Sequence, residues 1–336
     1  MMSGMARQVA SPVLVGRVAR RHAAFLTVLA LAAPAAASAP GPTRLIAFDR
    51  SLDGSGSIFV VRTDGTGLRR VGRETGSAHP AWAPDGRRIA YDSGGDGLET
   101  SVHVAGVDGR LRRIRPGASG AQWSPDGRRL AFVATTPSGL PEVWVADART
   151  LRARRLAAAA TLPRWSPDGR LVAVVEPASG SLALVPAGGG PARRPGVTAS
   201  QGPSAPAWSP DGRRLAVVSP TGRLEVVDAG SGGVRVLTRG TGASGASFPA
   251  WSPDGRLVAA LLGPHATLTV MRADGSARRG LGPADGQSAP AWSPDARFLA
   301  FADPAHHIEV VGRTGSPRRR LTSGPATDAD PAWAPG

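Results

Sequence analysis

Histidine and carboxylate side chains are the groups here that could bind a divalent cation or supply an acid and a base, and the chain holds six His and 25 Asp plus Glu. The histidines of interest are His79, His265, His306 and His307. The carboxylates are Asp49, Asp53, Asp92, Asp96, Glu176, Asp285, Asp303, Asp328 and Asp330. No H-x-H or H-E-x-x-H spacing fixes two of them on one element. There is no G-x-S-x-G elbow for a nucleophilic serine. The complete absence of Cys excludes disulfides, a thiol nucleophile and a Cys₂His₂ metal centre. These groups can therefore act together only if a fold gathers them from distant loops. Read singly, each is a solvated turn residue.

The elements that must do the gathering are repeats. Seven Trp recur at 82, 123, 165, 208, 251, 292 and 333, 41 to 43 residues apart, and only Trp144 is out of register. Six of them open one phrase: WAPDGRRIAY at 82, WSPDGRRLAF at 123, WSPDGRLVAV at 165, WSPDGRRLAV at 208, WSPDGRLVAA at 251 and WSPDARFLAF at 292. Pro sets φ at the first corner of a turn, Asp bonds nearby backbone N–H groups, and Gly accepts a positive φ. In one unit, residues 79–83 read as a short extended run and 87–91 as a second strand. Residues 101–105 alternate as a third, and 111–114 follow as a fourth after Asp108-Gly109. Four short antiparallel strands in about 42 residues, repeated, make a β-propeller.

The second-strand phrase occurs seven times, first at residues 44–48, so the expected fold is all-β: a seven-bladed β-propeller of four-stranded antiparallel blades over residues 44–336. Six blades follow if one copy is irregular, and the unit at 181–197, with its GGGP, is the weakest. The first copy lacks a Trp strand and the C-terminal end, residues 331–336, is a Trp strand without a blade. That strand is expected to close the circle as the inner strand of blade one. One Trp per blade reads as a wedge between sheets, and the motif Asp residues read as turn formers. His103, in a third strand, reads as a packed or edge side chain. Pairs of Arg recur on the fourth strands, the outer rim of each blade, where charge prevents edge-to-edge pairing.

Residues 1–37 read as a signal peptide. Arg7, Arg17, Arg20 and Arg21 precede an uncharged stretch at residues 23–33, too short to span a bilayer, and Ala35 to Ala37 supply a small-residue cleavage site. Arg20-Arg21 would also fit a twin-arginine exporter, with Sec export the better match. Residues 38–43 are then a short linker. The formal charge is +15, every basic residue is Arg, and removal of the leader lowers the charge to +11. Such a balance gives weak, salt-sensitive attraction to anionic polymers, and an extracytoplasmic (periplasmic or secreted) address argues against nucleic acid.

At WSPDGRRLAF the sequence resembles the TolB-type propeller repeat, over residues 44–336. The resemblance implies the propeller fold, whereas the same phrase serves TolB proteins, propellers of prolyl-oligopeptidase-like peptidases and pectin-fragment lyases. The α/β domain that precedes the propeller in TolB is not expected here, nor is a hydrolase domain after it. In such propellers the loops between strands two and three, and between blades, open on one face of the central channel. That face would gather the residues named at the outset, with His79, Asp96, His265, Asp303, His306, His307 and Asp328 as the candidates for binding at the channel mouth. The expectation is a monomeric, non-enzymatic binding module for an envelope protein or peptide, without catalytic residues, bound metal or cofactor. The alternative is a metal-dependent lyase or hydrolase acting on an acidic saccharide.

Overall fold

The computed structural model describes residues 44–336 except 73, 95–99, 107–109, 201, 203 and 241–244. The leader and linker expected over residues 1–43 lie outside this range, as does Asp96. Among the described residues all regular structure is strand, in seven antiparallel sheets, six of four strands and one of three. The third blade shows why the phrase folds as it does. Its strands are β8 (Ala118–Trp123), β9 (Arg129–Thr135), β10 (Pro141–Asp147) and β11 (Ala153–Ala157). Between β8 and β9, Ser124 Oγ donates to Asp126, which in turn accepts from the Arg128 N–H at 3.0 Å, while Ser124 Oγ accepts from the Arg129 N–H at 2.9 Å. Gly127, with φ 64°, completes the turn in a conformation costly for any other residue. The same Ser–Asp clasp recurs at Ser166–Asp168, Ser252–Asp254 and Ser293–Asp295, each at 2.6 Å, so the motif aspartates are turn formers.

The ring closes as the orphan Trp strand requires. Strand β27 (Thr327–Trp333) pairs antiparallel with β1 (Leu45–Leu52), from Ile46 against Trp333 to Ser51 against Thr327, and takes the inner place in the first blade. Seven apolar clusters then lie one between each pair of neighbouring blades. The last joins Ile46, Phe48 and Val61 of blade one to Phe298, Ala300 and Val310 of blade seven. The Trp residues are wedges here, and their N–H groups run a repeated bond around the ring. Trp82 donates to the Ala332 carbonyl, Trp123 to Ala81, Trp165 to Gln122, Trp208 to Arg164, Trp292 to Ala250 and Trp333 to Ala291, at 2.9–3.1 Å. Trp251 alone has a buried Nε1 without a partner. Arg88, Arg129 and Arg214, the second Arg of their phrases, lie 4.5, 4.7 and 5.0 Å over the Trp of the next blade.

The fourth blade is the three-stranded one, at the GGGP unit. Pro191 and Pro195 offer no N–H to a ladder, and its outer edge is held only by isolated bridges, Ser181 to Thr198 and Leu184 to Arg193. The rim arginines are engaged: Arg155 with Glu142 at 2.9 Å, Arg194 with Glu176 at 2.6 Å, and Arg318 with Glu309. His103 is buried and stacked on Tyr91, ring centroids 5.7 Å apart.

Candidate functional site

The inner strands carry a feature that strand periodicity alone does not contain. In five of them the register slips by one residue, between Ala78 and Ala81, Ser119 and Gln122, Thr161 and Arg164, Ser247 and Ala250, and opposite Phe48 in β27. Each slip places the residue three before the Trp in the left-handed region: His79 (φ 54°), Gly120 (67°), Leu162 (53°), Phe248 (52°) and Asp330 (46°). Four of these five are not glycine, at a cost on the order of 1–3 kcal/mol each. Bulges of this kind re-aim side chains. His79, Phe248 and Asp330 border a cavity of ≈ 430 Å³ whose walls come from the inner strands of the blades and the segments that lead into them, in six blades, which makes it the central channel.

One side of the channel mouth is acidic. His79 sits between two carboxylates, its Nδ1 3.1 Å from Asp92 and its Nε2 3.5 Å from Asp330. The bond to Asp92, aided by Asp330 and Asp49 and opposed by burial, lifts the imidazole to about 9, so it is a cation at neutral pH. Asp92 also accepts from the Gly120 N–H at 2.9 Å. Burial, with Asp330 and Asp328 nearby, raises the Asp49 carboxyl to about 7 against the pull of His79, and its Oδ1 is buried without a hydrogen-bond partner. Asp330 is raised for the same first reason, burial, with Asp285 and Asp92 adding to it. Asp328 has no exposed surface and is neutralised by Arg50 at 2.6 and 2.9 Å.

On the same cavity lies a group of opposite sign. The residue just before each Trp is Ala in five blades, Gln122 in the third and Arg164 in the fourth. Arg164 borders this cavity, half-buried, and among the described residues its guanidinium donates to the adjacent Pro163 carbonyl at 3.0 Å. Burial lowers its guanidinium to about 10, which leaves it protonated at neutral pH. Among the described residues no carboxylate pairs with it. Phe248, Pro206, Pro249 and the two flanking Trp, 208 and 251, supply apolar wall, and Gln287 a polar one.

The other anticipated residues either adjoin this cluster or lie apart from it. His306 stands 3.9 Å from the buried Asp285, and its carbonyl accepts from the Asp328 N–H. His307 ties down a loop through Nε2, 3.1 Å from the Gly324 carbonyl. Asp303 caps the turn of residues 303–307, bonding the Ala305 and His307 N–H groups at 2.8 and 3.0 Å, and pairs with Arg320 at 2.5 Å. His265 borders a separate cleft of ≈ 600 Å³ with Ser219, Pro264 and Asp285. Of the seven mouth candidates, His79 and Asp328 thus belong to the acidic cluster, together with Asp49, Asp92 and Asp330 from the same face. Arg164 and Phe248 went unforeseen, although aligning the seven phrases at the Trp exposes Arg164 as the charged exception in an alanine column. Among the described residues no three His, Asp or Glu side chains are disposed to hold a metal ion.

Residues 110–288 match the family model described as the TolB beta propeller domain, more than half of the chain. The chain belongs to the TolB β-propeller family. In fold it is similar to TolB from Acinetobacter baumannii, with a TM-score of 0.60 and 20 % identity over 87 % of this chain and 67 % of that one. It is also similar to a periplasmic gluconolactonase of Pseudomonas aeruginosa, with a TM-score of 0.60 and 17 % identity over 87 % and 99 % of the two chains. Hydrazine synthase of Kuenenia stuttgartiensis is a third, with a TM-score of 0.56 and 18 % identity over 74 % and 80 %. No curated protein matches the chain. At these identities the likeness is one of fold, and the TolB propeller here is a frame on which the mouth residues must be judged individually.

Proposed function

We propose that the chain is an exported, non-enzymatic binding module that takes a segment of an envelope protein or a peptide at its channel mouth, with a cationic group of the ligand among Asp49, Asp92 and Asp330. The observation that carries this reading is the Asp49–Asp330 pair. Among the described residues these carboxylates have one imidazolium beside them and no ion pair with an Arg, one buried Asp49 oxygen has no hydrogen-bond partner, and burial makes their ionisation costly. An ammonium or guanidinium arriving there would relieve the like-charge repulsion. The apolar wall of the same cavity, with Phe248 and two Trp, suits a short extended chain. Export accords with the leader read at residues 1–37 and with the periplasmic relative named above. The gluconolactonase likeness keeps an enzymatic reading on an acidic saccharide in view, but the mouth's own charge favours a cationic ligand.

Calorimetric titration with two pools of random tetrapeptides, one beginning with Lys and one with N-acetylated Glu, tests the reading. The Lys pool should bind, more weakly as salt rises, and the Glu pool should not. Equal binding of both, or of neither, would refute it.

A further inference from the structure

The mouth explains a cationic ligand group but leaves Arg164 without a role. A guanidinium in a confined, partly dry channel is expensive unless a counter-charge meets it, and proteins normally provide one. Here the hydrogen-bond partner is a neutral backbone carbonyl, Pro163 O, and among the described residues no Asp or Glu is paired with it. The fold does not demand Arg at this place, because the equivalent residues are Ala81, Ala207, Ala250, Ala291, Ala332 and Gln122. It also borders the same cavity of ≈ 430 Å³ as His79 and Asp330, so one ligand held there can meet all three.

We infer that Arg164 is the floor of a carboxylate site, and that it receives the free C-terminal carboxylate of a short peptide whose cationic group lies against Asp49 and Asp330. The inference rests on the peptide reading given above. A guanidinium presents paired N–H donors in the plane that matches a carboxylate, and the bond gains strength where water is excluded. Phe248, Pro206 and Pro249 line the same cavity, where the body of such a peptide would lie. A chain end is favoured over an internal segment because Arg164 calls for a carboxylate, and in a peptide without acidic side chains only the C-terminus supplies one. A small free acid offers the same carboxylate without the cationic group that the mouth requires.

The test compares random tetrapeptides beginning with Lys as free acids, the same pool with amidated C-termini, and gluconate, each titrated into the wild type, Arg164→Gln and Arg164→Lys. The acid pool should bind the wild type at least tenfold more tightly than the amidated pool. Arg164→Gln should reduce the acid pool to the amidated level, and Arg164→Lys should fall between. The melting temperature of the ligand-free Arg164→Gln protein should be unchanged or higher, since the residue removed is an unpaired cation. A large fall would make Arg164 structural and overturn the inference. Equal binding of the two pools by the wild type would overturn the Arg164 site and leave the peptide reading intact. Gluconate binding that depends on Arg164, with neither pool bound, would overturn both.

Discussion

Asp49 and His79 illustrate how single residues bear on both stability and recognition. Asp49 is raised by burial from 3.8 to about 7, so the folded protein holds that proton more firmly than the unfolded chain does. Its contribution to stability therefore falls as pH rises from about 4 to 7. His79, raised from 6.5 to about 9 chiefly by Asp92, contributes stability that is complete below 6.5 and lost as pH rises through 9. Melting curves across pH 4 to 9 should accordingly show a decline from both groups, and Asp49→Asn should flatten the segment between 4 and 7 while leaving the alkaline one. An unchanged acid segment in that variant would show that Asp49 is not the group being titrated. The residue types at the mouth were legible in the sequence, because Asp49 and Asp92 occupy one position of consecutive phrases. Their partner His79 was legible only as a loop histidine. Its pairing with Asp330 depends on a bulge in each inner strand and on two strands 250 positions apart in the chain.

At the scale of the strands, the phrase repeats its bonds as faithfully as its letters. Six Trp N–H groups reach the carbonyl before the preceding Trp, and Trp251 does not. The cost of Trp→Phe should therefore be uneven. At Trp123 the change removes a bond and leaves the Ala81 carbonyl without it, for about 1–2 kcal/mol beyond the lost area, whereas at Trp251 it removes an unsatisfied donor and should cost clearly less. Denaturant unfolding of both variants measures the difference, and equal losses would mean that the Trp251 N–H is satisfied in solution. The alternation of apolar residues and the SPDG corners made strands two and three readable, since their period and turn chemistry are local. The left-handed residues of the inner strands were not. Leu162 and Phe248 have no intrinsic preference for that conformation, and the ring's packing imposes it. The weakness of blade four was readable from its GGGP stretch.

For the whole molecule, closure and binding are one construction. Asp49 stands on the first strand and Asp330 on the last, and they become neighbours only because β27 completes blade one. The count of seven, the closing strand and the Trp wedges followed from repetition, which is why the architecture could be read so completely. What repetition conceals is the asymmetry that gives a ring its specificity, and that resides in exceptions: acids at blades one and two, and Arg164 at blade four. In the proposed function, recognition depends on the acidic side of the mouth attracting a cationic ligand group. Its most direct test is titration of the Lys-initiated peptide pool into the wild type and into Asp49→Asn/Asp330→Asn. The double variant should lose at least tenfold in affinity, roughly 1.4 kcal/mol, while melting no lower than the wild type at pH 8. Affinity retained in a folded double variant would contradict it.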